Sequence, residues 1–109
     1  MIAAVDGLAV GIGTTLLLHC DLIYATPQCQ PALRRFLDLG LVQEAGSSLL
    51  APERLGYPLA FELICLGEPF TAERALQAGL INAIVPADRA RSHRVCRQPG
   101  GWPPNPARR

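Results

Sequence analysis

Two glycines one residue apart, Gly11 and Gly13, interrupt the longest apolar run of the chain, Leu8 to Leu18. Ahead of them, Ile2 to Val5 is a short apolar run closed by Asp6-Gly7, which reads as a buried strand ending in a turn. Behind them, Leu16 to Cys20 reads as a helix apolar on all sides, hence buried, with Thr14 or Thr15 as its cap. A strand end, a two-glycine turn and a helix start place free backbone N–H groups at a positive helix end. Such a place binds an anion or a developing oxyanion, and flanking glycines let another group approach closely. The same residues also suit a plain turn that packs helix on strand, because short glycine patterns are common.

The rest of the chain extends this alternation. Leu22-Ile23-Tyr24-Ala25 reads as a second buried strand, and Pro27 and Pro31 make the next stretch loop or edge. Phe36 to Leu39 reads as a short extended piece ending at Gly40. Ala45 to Leu50 reads as a helix, with Pro52 opening a second short turn that ends near Gly56. Leu59 to Leu66 is expected to be a helix closed by Gly67. Thr71 caps another helix through Ala78, stopped by Gly79, and Leu80 to Val85 reads as a strand ended by Pro86. The order gives an α/β fold class without internal repeats. Residues 1–88 are expected to form one partial domain. The segment 89–109, rich in Arg, Pro and Gly and without hydrophobic period, is expected to be an irregular, disordered tail.

A chain of 109 residues holds one small domain and buries a limited share of its surface. Half of its residues are hydrophobic and the mean hydropathy is +0.22, a signature of apolar faces meant for further partners. A net charge of +1 gives no footprint for nucleic acid or an anionic membrane surface. All ten basic residues are Arg, which reads as codon usage rather than chemistry. Cys20, Cys29, Cys65 and Cys96 include no CxxC pair, so neither a metal site nor a disulfide framework is expected. Cys20 and Cys65 lie in apolar runs and read as buried thiols, which fits a reducing cytoplasm. Leu8 to Leu18 is shorter than the ~20 residues a membrane span takes. A basic leader is lacking, Asp6 interrupts the start, and bulky His19 before Cys20 argues against a lipoprotein cleavage site.

Glu44 precedes a helix and lies between apolar Leu41-Val42 and Leu49-Leu50. A carboxylate in an apolar pocket has a raised pKa and can shuttle a proton. A solvated glutamate favouring a helix start is the alternative. Ser47 and Ser48 have no GxSxG context, which argues against a serine nucleophile. His19 reads as a satisfied core or interface histidine and Asp21 as a partner of backbone groups. Glu62, Glu68 and Glu73 read as solvated.

Three blocks in order, VDGLAVGIGTTLLLHCDLIYA (Val5 to Ala25), LGLVQEAGSSLL (Leu39 to Leu50) and LGEPFTAERALQAGLINAIVP (Leu66 to Pro86), resemble the crotonase superfamily of enoyl-CoA hydratases and isomerases. The resemblance covers about residues 1–88, less than half of a family domain. It implies part of a spiral of ββα units, assembled as homotrimers or hexamers. It implies acyl-CoA substrates, with coenzyme A entering as part of the substrate and no separate cofactor, metal, nucleic acid or membrane. The thioester carbonyl would sit between two backbone N–H donors, one of them Ile12, with Gly11, Gly13, Thr15 and Phe36 around the substrate. The second donor and much of the coenzyme A pocket are expected upstream of Met1. The two glutamates of hydratases fall on Thr15 and near Phe36, neither of which can act as a base. The glutamate of the isomerase-like branch matches Glu44, with Gln43 replacing the usual proline. At Gln28 to Arg35 the chain also departs from the family's active-site wall. The resemblance therefore implies double-bond isomerisation, with an inactive remnant that serves only in subunit interaction as the alternative.

Overall fold

The computed structural model describes residues 1–33 and 35–90. Its frame is two corners stacked on each other. Strand β1 (Ile2–Val5) turns at Asp6-Gly7 into β2 (Leu8–Val10), and β3 (Leu22–Ala25) turns at 26–29 into β4 (Gln30–Ala32). The strands pair in parallel, Ile2 opposite Leu22 and Val5 opposite Ala25 in one sheet, Leu8 opposite Gln30 and Val10 opposite Ala32 in the other. The corners themselves are joined. The Thr26 hydroxyl donates to the Asp6 carboxylate at 2.9 Å, and the Gln30 N–H donates to the Gly7 carbonyl at 2.9 Å. Pro31 is accommodated because, among the described residues, β4 pairs only with β2, so no ladder partner there needs its missing N–H.

Between the corners runs helix α1 (Ile12–Thr15), which tightens into a 3₁₀ turn over Leu16–His19. The expected helix is thus present but starts four residues earlier, and neither threonine caps it. Gly11 is the N-cap residue, and Leu16 and His19 are exposed rather than buried. Helix α2 (Arg35–Asp38) replaces the extended piece expected at Phe36 to Leu39. The helical turn carries Phe36 into the core, 6% exposed, a placement local propensity does not signal.

Helix α3 (Ser47–Leu55) is continuous through Pro52, where a break was expected. Proline removes the bond that the Ser48 carbonyl would accept. Ser48 is exposed, so water can serve that carbonyl, while Ala51 and Leu55 anchor the opposite face in the core. Helix α4 (Tyr57–Phe61) widens into a π-helical turn over Glu62–Leu66 and stops at Gly67, as expected. Helix α5 (Ala72–Gln77) begins at Thr71, whose hydroxyl accepts the Arg74 N–H at 3.1 Å. Glu62 is not simply solvated. Its two carboxylate oxygens take Arg74 Nη2 at 2.7 and 2.6 Å.

Strand β5 (Ala83–Ile84) is shorter than the expected Leu80 to Val85, because the Leu80 and Ile81 N–H groups close α5 on the Ala75 carbonyl. It completes the order β1-β3-β5. Asn82 sets its register: its N–H donates to the Ile23 carbonyl at 2.8 Å and its side-chain oxygen accepts the Ile23 N–H at 2.7 Å. Helix α6 (Ala87–Ala90) follows and takes in the first two residues of the tail expected at 89–109; residues 91–109 lie outside the described residues.

The core joins β3 to the helices through Ile23, Leu33, Leu63, Phe70 and Leu80, all at most 1% exposed. Cys20 and Cys29 are buried thiols and Cys65 is half-buried. Among the described residues no helix is long and apolar enough to cross a membrane. The architecture is α/β, as the sequence order leads one to expect.

Candidate functional site

Gly11 holds a backbone conformation, φ 58° and ψ −123°, that a side chain on the α-carbon would strain. Its N–H donates to the Ala32 carbonyl at 3.3 Å, and its own carbonyl accepts the Thr14 and Thr15 N–H groups at 2.9 and 3.0 Å. The turn therefore aims its carbonyl into the helix. Among the described residues, no hydrogen bond uses the Ile12 or Gly13 N–H. Ile12 is 60% exposed, and a Cβ added at Gly13 would meet nothing within 4 Å. An unused donor beside open space is what an oxyanion needs.

Thr14 fixes this turn from below. Its buried hydroxyl donates to the Ala9 carbonyl at 2.6 Å and accepts the Ala32 N–H at 3.1 Å. One side chain thus binds the short helix to both strands of the small sheet. Reading Thr14 as a cap missed this, because the partner at Ala32 lies eighteen residues away. Arg54 is a second long-range brace. Its Nη1 lies 3.3, 3.5 and 2.9 Å from the carbonyls of Leu17, Leu18 and Cys20, at the end of the 3₁₀ turn. A cation there satisfies carbonyls that helix ends leave unpaired. Nothing local to Arg54 signals that role.

The other expected site residues separate. Thr15 is fully buried, and its hydroxyl bends back to the Ile12 carbonyl at 3.4 Å. Phe36 is also in the core, so both side chains are buried. Glu44 is on the surface, and its carbonyl accepts the Ser47 N–H at 2.9 Å. The apolar pocket expected around it is not closed by these residues. Leu41, Val42 and Leu49 are 56%, 87% and 70% exposed.

Glu44 nevertheless belongs to an unusual turn. Ala45 has φ 52° and Gly46 φ 67°, so two successive residues are left-handed. Alanine in that region costs roughly 1–2 kcal/mol. His19 Nε2 lies 2.6 Å from the Ala45 carbonyl. A carbonyl only accepts, so Nε2 carries the proton. His19 is thus satisfied as expected, but on the surface rather than in the core. Asp21, expected to bind backbone groups, bonds its own backbone and also pairs its carboxylate with the Met1 amino group.

Beside the same turn, an apolar groove of about 250 Å³ opens between α3 and α4. Gln43, Ser48, Pro52, Tyr57, Phe61 and Cys65 line it, among others. The Gln43 Oε1 is buried without a hydrogen-bond partner among the described residues. No three His, Cys, Asp or Glu residues come together to hold a metal among the described residues.

Comparison with known proteins places this geometry. Residues 1–98 match the enoyl-CoA hydratase/isomerase family. The chain is 38% identical over 88 residues to a mitochondrial enoyl-CoA hydratase of Pongo abelii, covering 81% of this chain and 30% of that one. It is 36% identical over 88 residues to the 2,3-dehydroadipyl-CoA hydratase of Escherichia coli K12, covering 81% and 34%. The crystal structure of an enoyl-CoA hydratase/isomerase from Pseudoalteromonas atlantica superposes with a TM-score of 0.70 at 42% identity, covering 75% of this chain and 33% of that one. The chain thus spans about a third of the length of these relatives. With its stacked ββ corners and the glycine turn between them, it belongs to the enoyl-CoA hydratase/isomerase family.

Proposed function

We propose that the chain carries part of the site of an acyl-CoA double-bond isomerase. The observation that supports this most is the fate of three positions. Thr15 stands where hydratases of the family carry one glutamate, and Phe36 lies near the place of the other; both are buried and have no ionisable group. Glu44, which stands where the isomerase-like branch carries its base, is a surface carboxylate on a turn fastened to the helix of the glycine turn.

In this reading the Ile12 N–H donates to the thioester oxygen, and open space at Gly13 admits the thioester. Glu44 removes a proton from C2 of a 3-enoyl-CoA. The electron pair moves into the dienolate, whose negative oxygen the N–H donor stabilises. Glu44 then returns the proton to C4, leaving the double bond between C2 and C3. The groove beside Gln43 offers apolar surface to an acyl chain. The second donor comes from outside the described residues, the assembly is a homotrimer or hexamer, and the setting is cytoplasmic, where Cys20, Cys29 and Cys65 stay free thiols.

The test is isomerisation of a 3-enoyl-CoA, followed by formation of the conjugated 2-enoyl-CoA. Glu44→Gln should abolish turnover and leave acyl-CoA binding largely intact. Unchanged turnover removes Glu44 from the mechanism, and hydration of a 2-enoyl-CoA at normal enzyme rates contradicts the isomerase reading.

A second reading is a non-catalytic subunit-interaction module. Leu8, Ile12 and Leu16, exposed by 68%, 60% and 48% along β2, α1 and the 3₁₀ turn that follows it, favour it. Concentration-dependent association without acyl-CoA binding would support that reading over the first.

A further inference from the structure

We infer that His19 is a positioning residue that latches the Glu44 turn to the helix of the glycine turn. This rests on the proposed function only for the role of Glu44; the latch itself stands on geometry. One helical stretch begins at Ile12 and ends at His19, eight residues in all. Its first N–H is the proposed thioester donor. Its last side chain reaches the carbonyl of the residue after Glu44, 2.6 Å from Nε2. The two halves of the chemistry thus hang on opposite ends of one short rod.

Each end of the contact needs the other. Ala45 sits in a left-handed conformation that alanine disfavours, and the bond to its carbonyl opposes relaxation to an ordinary one. Relaxation at Ala45 would swing the adjacent Glu44 side chain, because both flank one peptide plane. Leu41, Val42, Glu44 and Ala45 are exposed, and within 41–45 Gln43 alone is half-buried, so packing holds the segment weakly. The rod itself is firm at the histidine end: Arg54 binds the carbonyls of Leu17, Leu18 and Cys20, and Thr14 anchors the other end. The remaining freedom is at the turn, where the only described side-chain link across elements is from His19.

A latch of this kind requires a donor at the Nε2 position, not a charge and not a base. Glutamine places an amide N–H at a similar reach, whereas leucine has the bulk without the donor. In the full chain, His19→Leu should speed amide exchange of Ser47, Leu49 and Leu50, whose N–H groups bond the Glu44 and Gly46 carbonyls of the turn, roughly tenfold, the loss expected for one hydrogen bond. Exchange in β1 and β3 should stay unchanged, and His19→Gln should restore protection at these three residues. In an isomerisation assay, His19→Leu should lower kcat at nearly constant KM, with recovery in His19→Gln. Unchanged exchange at Ser47, Leu49 and Leu50 in His19→Leu, or failure of glutamine to restore it, overturns the latch. Altered, glutamine-rescued exchange in a chain that isomerises nothing supports the latch and retires the isomerase reading instead.

Discussion

The Thr14 hydroxyl accepts the N–H of Ala32 across eighteen residues, so the short helix after the glycine turn is fastened to a strand of the next corner. The same oxygen donates to Ala9 on the neighbouring strand. Thr14→Val keeps the shape and removes both side-chain bonds to buried backbone groups. The expected loss is about 1–3 kcal/mol, measured by chemical denaturation. Thr14→Ser retains the hydroxyl and should lose clearly less. Equal losses in the two variants would assign the effect to packing of the methyl group instead.

The two glycines of the turn should respond differently to alanine. At Gly11, with φ 58° and ψ −123°, a methyl group strains the backbone by roughly 1–3 kcal/mol, visible in the unfolding midpoint. At Gly13 a Cβ meets nothing within 4 Å, so Gly13→Ala should leave stability nearly unchanged. In the proposed reading the same methyl group narrows the open space at Gly13 that admits the thioester, and it should weaken acyl-CoA binding. A Gly13→Ala chain that binds acyl-CoA as tightly as the parent would remove the thioester from that space.

Burial pushes the Cys29 thiol up to about 11, with a smaller contribution from the nearby Asp6 carboxylate. The folded state therefore keeps the proton longer than the unfolded state, and the thiol's contribution to stability is intact below about pH 9. It is lost as pH rises towards 11. The loss should be on the order of 2 kcal/mol. Denaturation of the parent and Cys29→Ala between pH 8 and 11 isolates it: the stability gap should narrow as pH rises. A constant gap would show that Cys29 ionises as readily in the folded chain as in the unfolded one.

Much of the fold was legible where a local signal and the tertiary demand coincide. Thr71 and Gly79 bound α5 because a hydroxyl cap and a helix stop act within one turn of chain. Strand β3 was legible because a strand buried between two neighbours is apolar throughout. Elsewhere distant contacts decided. Phe36 was misread as extended because its burial depends on helices far along the chain, and Pro52 was misread as a break because the exposed Ser48 carbonyl tolerates the missing N–H. At the site, the Gly11-Ile12-Gly13 turn was legible from glycine spacing. The exposure of Glu44 was not, since flanking apolar residues enclose a carboxylate only when something covers them. The His19–Ala45 contact was hidden for the reason that Arg54 was: each joins backbone carbonyls, which carry no sequence.

The clasp between Asn82 and Ile23 has a bearing on the order of assembly. Pairing β1 with β3 brings together residues twenty apart, such as Ile2 and Leu22, whereas the Asn82–Ile23 contact closes a span of 59. Closing the longer loop costs about 1 kcal/mol more in chain entropy. The stacked corners can therefore form first, as a template, and β5 docks onto an edge already in register. Asn82, which presents both a donor and an acceptor to one residue, gives that late arrival a single docking position where a one-residue slip would turn Ala83 and Ile84 to the wrong faces.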